Sequence, residues 1–159
     1  MKRFAKATSM AVCVGGVFAP ALQTQQPTAS AGTAIRACAL ATKAEVKKHL
    51  PWAAMLDNMP IEEEPIGSSG SSCNYPSVTI QVLPVSQRTL DAVRKKDDTE
   101  AVEGIGDEAY FHENPNGYGE LYVKVGRRLL TLQASAEGDI GAVKPGVVNL
   151  AKELVAKLR

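Results

Sequence analysis

Few of the residues on which enzyme and metal chemistry depends are present. The chain of 159 residues has two histidines, three cysteines and one tryptophan. No G-x-S-x-G and no H-E-x-x-H occurs, which excludes the common serine-hydrolase and zinc-peptidase signatures. Cys38 and Cys73 have no second cysteine or histidine at chelating spacing, and there is no methionine-rich run, so neither a metal site nor a cofactor is expected. Charge of one sign is also scarce, at 18 Lys and Arg against 17 Asp and Glu. Without a basic field or interleaved aromatics, nucleic-acid binding is not expected. Long apolar runs are lacking too. The longest, "ATSMAVCVGGVFAPAL", carries Pro20 and two adjacent glycines and falls short of the ~20 apolar residues that span a bilayer.

That run does have an address. "MKRFAK" precedes it with three positive charges and no acid, and "PTASAG" follows with Ala29 and Ala31 at small-residue cleavage positions. The order is that of a secretory signal peptide over residues 1–31, with Ala21 and Ala34 as alternative cleavage points and no transmembrane segment left afterwards. Loss of Lys2, Arg3 and Lys6 leaves 15 cations against 17 acids, a formal charge of −2 on residues 32–159. The expected location is periplasmic or secreted. Cys13 would depart with the signal; its lipidation is an alternative, but bulky Val12 stands where a lipoprotein signal carries a small residue. The two remaining cysteines, Cys38 and Cys73, are expected to form a disulfide.

Residues 32–159 read as one domain. "TKAEVKKHL" opens with a capping box, Thr42 against Glu45, and buries Val46 and Leu50 before Pro51 ends the helix. His49 falls in its last turn, where a structural role at the helix end is expected rather than catalysis. Trp52, Met55, Leu56 and Met59 are expected in the core, with a pocket lining as the alternative. Glu62, Glu63 and Glu64 suggest a solvated or edge strand, followed by a Gly/Ser loop. Val78, Ile80 and Val82 alternate with Thr79 and Gln81 as a half-buried strand. Ser86 can cap a helix through "QRTLDAVRKKDD", with Leu90 and Val93 inward and Arg94-Lys95-Lys96 solvated.

The segment "GIGDEAYFHENPNGYG" gathers acids, a histidine and tyrosines, and invites an active-site reading. As a strand it places Asp107 and Glu108 on opposite faces, with Ala109 and Phe111 toward the core and Glu108, Tyr110 and His112 on the other side. Glu108 and His112 are then ~13 Å apart at ~3.3 Å per residue, too far for one zinc ion. "GIG" lacks the third glycine and the helix of a phosphate loop. "NPNG" is a turn, and a hairpin reversing at Gly126-Arg127 follows, with Leu121, Val123, Val125, Leu130 and Leu132 facing inward. The chain closes with an amphipathic helix, Val147, Ala151, Leu154 and Leu158 on one stripe and Glu153 able to pair with Lys157. The fold class is therefore α+β, a single domain with a mainly antiparallel sheet and helices packed on one face.

"ACALATKAEVKKHL", a C-x-Y at Cys73, and "VEGIGDEAYF" before a hairpin and terminal helix resemble the small exported bacterial domains of unknown function known mainly as actinobacterial lipoproteins. The resemblance implies a PsbP/Mog1-like sandwich and an envelope location, with no catalytic residues to carry over. The expected function is a non-catalytic module binding an envelope protein or a small ligand, with Trp52, Tyr110, His112 and Tyr122 as its candidate surface. The alternative is a small periplasmic hydrolase using His112 with Glu108 or Glu113.

Overall fold

The computed structural model describes residues 35–53, 58–135 and 140–159. The expected signal peptide and cleavage points at Ala21, Ala31 and Ala34, Cys13, and the expected core residues Met55 and Leu56 lie outside the described residues.

A 3-10 turn at Ala37–Ala39 precedes helix α1, Lys43–His49. Both halves of the capping box form: the Glu45 amide donates to Thr42 Oγ1 at 3.2 Å, and the Thr42 amide donates to Glu45 Oε2 at 2.8 Å. Strands β1 (Glu62–Ile66), β2 (Gly70–Tyr75) and β3 (Val78–Pro84) form an antiparallel meander. Helix α2, Gln87–Arg94, carries the chain to the far edge of the sheet. There β4 (Thr99–Ala101), β5 (Glu108–Asn114), β6 (Tyr118–Val125) and β7 (Arg128–Ser135) run back by hairpins. The order β1-β2-β3-β7-β6-β5-β4 makes one seven-stranded antiparallel sheet, closed by pairing β7 with β3 at Ile80↔Leu132 and Val82↔Leu130. Helix α3, Ile140–Leu158, ends the fold. The class is α+β, in one compact unit.

Alternation sorts the sheet into two faces. The inner face presents Phe111, Leu121, Val123, Leu130 and Leu132, all fully buried, to Val143, Val147, Leu150 and Leu154 of α3. Each such aliphatic or aromatic side chain contributes roughly 1.5–3 kcal/mol when buried. Helix α1 then packs on α3 at Gly146. A Cβ there would lie 2.5 Å from Leu50 Cδ2 and 2.7 Å from the His49 carbonyl, so glycine is what lets the helices approach. Charges seal this contact. Glu153 pairs with Lys48 and Lys157 with Glu45, so the expected Glu153–Lys157 pair gives way to two links between helices. The hydrogen bond from Lys157, followed by that from the Thr42 amide, lowers the Glu45 pKa to about 2.

The segment before α1 is fastened to the sheet at several points. Cys38 is bonded to Cys73 of β2, with Cα atoms 4.9 Å apart. The Ala37 amide donates to Ser71 Oγ at 3.0 Å, and the buried Tyr75 hydroxyl donates to the Ala41 carbonyl at 2.6 Å. Burial pushes the Tyr75 pKa up to about 12.

Strands β2 and β4 depart from the sequence reading. The expected Gly/Ser loop is one only in part: Gly70, Ser71 and Ser72, which lack the β-branched alternation of a strand, begin β2, and pairing on both sides and the disulfide at Cys73 hold them in the sheet. Met59, expected in the core, is 45 % exposed. Helix α2 stops at Arg94 rather than continuing through Asp98, whose φ of 58° redirects the chain into β4. Helices α1 and α3 share the inner face, as the fold class expects. Helix α2 lies across the outer face, where Arg94 reaches the β5 side chains of Glu108 and Tyr110.

Gly146→Ala should destabilise by roughly 1–3 kcal/mol through overpacking of α1 against α3, read from urea unfolding. Cys38→Ala should cost up to about 4 kcal/mol on the chain-entropy account of a cross-link between residues 35 apart in sequence, read the same way under oxidising conditions.

Candidate functional site

The outer sheet face concentrates the polar side chains. Its construction starts from a motif used twice: Glu108-x-Tyr110 on β5 and Glu120-x-Tyr122 on β6, with Tyr110 and Tyr122 as direct cross-strand partners. Each pair receives one cation from the end of α2. Arg94 bonds Glu108, donates from Nε to the Tyr110 hydroxyl at 2.7 Å, and sits 5.5 Å from that ring's centroid. Lys96 donates to Glu120 at 3.1 Å and to the Tyr122 hydroxyl at 3.2 Å, 5.2 Å from the Tyr122 centroid. Lys95, between them, is exposed. The short basic run therefore contributes two clasps rather than a wholly solvated face.

Burial alone would raise the carboxyls of Glu108 and Glu120, but their hydrogen bonds reverse the sign. Tyr110 and Arg94 hold Glu108 below the ordinary carboxylate value; Tyr122, Lys96 and Asn114 do so for Glu120. The Tyr122 hydroxyl also donates to Glu120 at 2.6 Å. Burial first, and then the adjacent Glu120, raise the Tyr122 pKa.

His112 occupies the expected face but not the expected surroundings. It is only 7 % exposed, although the neighbouring turn suggests solvent. The physical reason is β4: Thr99 pairs with His112 on one side and Glu120 faces it on the other, making β5 an interior strand. His112 Nδ1 lies 3.4 Å from Thr99 Oγ1. Glu108 is engaged by Arg94, and Glu113 is exposed on the opposite pleat. Asp107 and Glu108 diverge as the alternation requires, Asp107 accepting from the Gly126 amide at 2.6 Å. Trp52 is separate from this surface. Its Nε1 donates to the Ser135 carbonyl at 2.9 Å, and its ring packs against the inner core beside Gly146. The structure thus brings Tyr110, His112 and Tyr122 together and leaves Trp52 aside. His49, on the inner side, has Nε2 3.0 Å from Glu153 Oε1 without hydrogen-bond geometry.

Beside the clasps the sheet stays open. Neutral residues occupy the outer positions of the central strands, with Thr79 opposite Gln133 and Gln81 opposite Thr131 on β3 and β7. They floor a concavity of about 210 Å³ walled by Thr89 of α2 and by Tyr122. A second concavity, of about 430 Å³, extends from Thr79 and Gln133 past Ser77 to Tyr118. The two share Thr79 and Gln133 and form one trough along the strands. In sequence these residues are only the polar half of an alternation; the β3–β7 pairing that joins them is non-local. Among the described residues, no three His, Cys, Asp or Glu are grouped to hold a metal ion. No family model, curated protein or solved structure matches the chain.

The folded carboxyls of Glu108 and Glu120 lie below their ordinary value of 4.5. Their contribution to stability is therefore complete above about pH 4.5 and is lost as the pH falls through the folded values. Glu120→Gln should lower the melting temperature at neutral pH and flatten its fall on acidification, measured by circular dichroism across the acid range.

Proposed function

We propose that the protein is an exported, non-catalytic binding module that acts in the periplasm or the medium and presents its outer sheet face to a ligand. The trough over β3 and β7 is the observation that carries this reading. It is open, its floor carries amide and hydroxyl groups, and His112 is not among its lining residues. Catalysis by His112 with Glu108 or Glu113 finds less support: the ring is closed in beside Thr99, Glu108 is held by Arg94, and Glu113 faces the other way. A general base must come within hydrogen-bond reach of the group it deprotonates.

Export draws its support from the charged start, the apolar run and the small-residue cleavage positions, and the Cys38–Cys73 bond is compatible with an oxidising compartment. The resemblance to exported actinobacterial lipoproteins points to the same compartment, and the sandwich it implies remains part of the proposal.

Mass spectrometry of protein recovered from the periplasm or medium should find a start near Gly32. A retained Met1 or a lipid on Cys13 would overturn the soluble exported form. A panel of esterase, peptidase and glycosidase substrates should show no turnover. Activity abolished in a folded His112→Ala variant would overturn the non-catalytic reading.

A further inference from the structure

We infer that the trough over β3 and β7 is a binding site for an uncharged glycan chain carrying N-acetyl groups. The inference rests on the binding-module reading and names its ligand class.

The floor determines the chemistry. Gln81 and Gln133 are half-buried, and neither amide bonds a side chain or backbone group elsewhere among the described residues. Each therefore keeps a carbonyl acceptor and two N–H donors for a ligand, and Thr131 adds a hydroxyl that does both. Neutral groups that donate and accept at once match sugar hydroxyls, which do the same. A planar amide also pairs at two points with another amide, donating to its carbonyl and accepting from its N–H, and an N-acetyl group on a sugar supplies that partner.

Other ligand classes fit less well. Glu120 is the one carboxylate in the lining, and it already receives Lys96, Tyr122 and Asn114, so the trough offers no free charge to an ion. Leu83 and Leu129 are the only aliphatic side chains lining the smaller concavity, and an apolar guest would cover the Gln81, Thr131 and Gln133 polar groups without giving them partners. An extended peptide would add to a sheet edge rather than lie across strands whose backbone groups are already paired. The edges themselves are blunted: β1 carries Glu62, Glu64 and Pro65, and β4 has three residues.

The dimensions suit a chain rather than a single ring. Val78 to Leu83 spans roughly 17 Å along β3 at ~3.3 Å per residue. Tyr118 stands at one end, 39 % exposed, where its ring can stack on the C–H face of a sugar. Tyr122 stands ~13 Å further along β6.

The test is a ¹⁵N NMR titration of the purified protein with the β-1,4-linked N-acetylglucosamine tetramer, and with cellotetraose as the chain lacking acetamido groups. The tetramer should shift the signals of Gln81, Thr131, Gln133 and Tyr118, and bind more tightly than cellotetraose. Gln133→Leu should weaken it roughly tenfold with the melting temperature retained. Gln81→Leu provides the same comparison should Gln133→Leu fail to fold. No shift at these residues with either sugar at millimolar concentration overturns the glycan assignment. Shifts at the same residues from a short Ser-Gly peptide instead would overturn it while leaving the binding module standing. Cleavage of the tetramer, lost in a folded His112→Ala variant, would overturn both.

Discussion

Everything in this fold depends on covering the inner face of one sheet with one helix. The apolar stripe of α3 supplies Val143, Val147, Leu150 and Leu154 to a surface drawn from β5, β6 and β7. Without that helix, Phe111 and Leu121 on β5 and β6 and Leu130 and Leu132 on β7 would face water, and pairing alone does not offset the entropy of ordering seven strands. Helix α1 is secondary to this contact. It docks on α3 through Gly146 and through links from Lys48 to Glu153 and Glu45 to Lys157, so α3 positions α1 as well as the sheet.

The outer face follows from the topology. Three strands are laid down first, and the chain must then cross to the opposite edge so that β7 can return beside β3. Helix α2 makes that crossing on the outer side. Its C-terminal end is pinned over β5 and β6 by two cations that meet two Glu-x-Tyr pairs. The clasps cover one part of the sheet and leave the seam between β3 and β7 uncovered. The trough is thus the space that α2 leaves, and its neutral floor of Thr79, Gln81, Thr131 and Gln133 comes from strands whose opposite faces are committed to the core.

Carboxylates here act mainly as fasteners. Glu45 joins α1 to α3, Glu63 receives Arg36 and Ser71, and Glu108 and Glu120 hold α2. Hydrogen bonds hold all four below the ordinary carboxylate range, with Lys157 leading at Glu45 and Arg36 at Glu63, and against an opposing burial effect at Glu108 and Glu120. In the acid-rich segment that attracts a catalytic reading, Asp107 and Glu108 are occupied by structural partners.

Local chemistry made much of the fold legible. The capping box at Thr42, the alternation of β3, β5 and β6, the turns at 115–117 and 126–127 and the stripe of α3 each need only near neighbours in the chain, and all appear in the structure. The disulfide followed from counting cysteines. Non-local partners decided the rest. "GSSCNY" is a strand because β1, β3 and Cys38 hold it, and His112 is buried because three residues of β4 pair beyond it. Lys157 and Glu153 turn away from each other because α1 offers each a better-placed opposite charge. The same holds for the candidate site. That Thr79, Gln81, Thr131 and Gln133 face outward is set by a period of two within each strand. That they adjoin is set by β7 docking against β3, a pairing of strands about fifty residues apart, which no local pattern encodes.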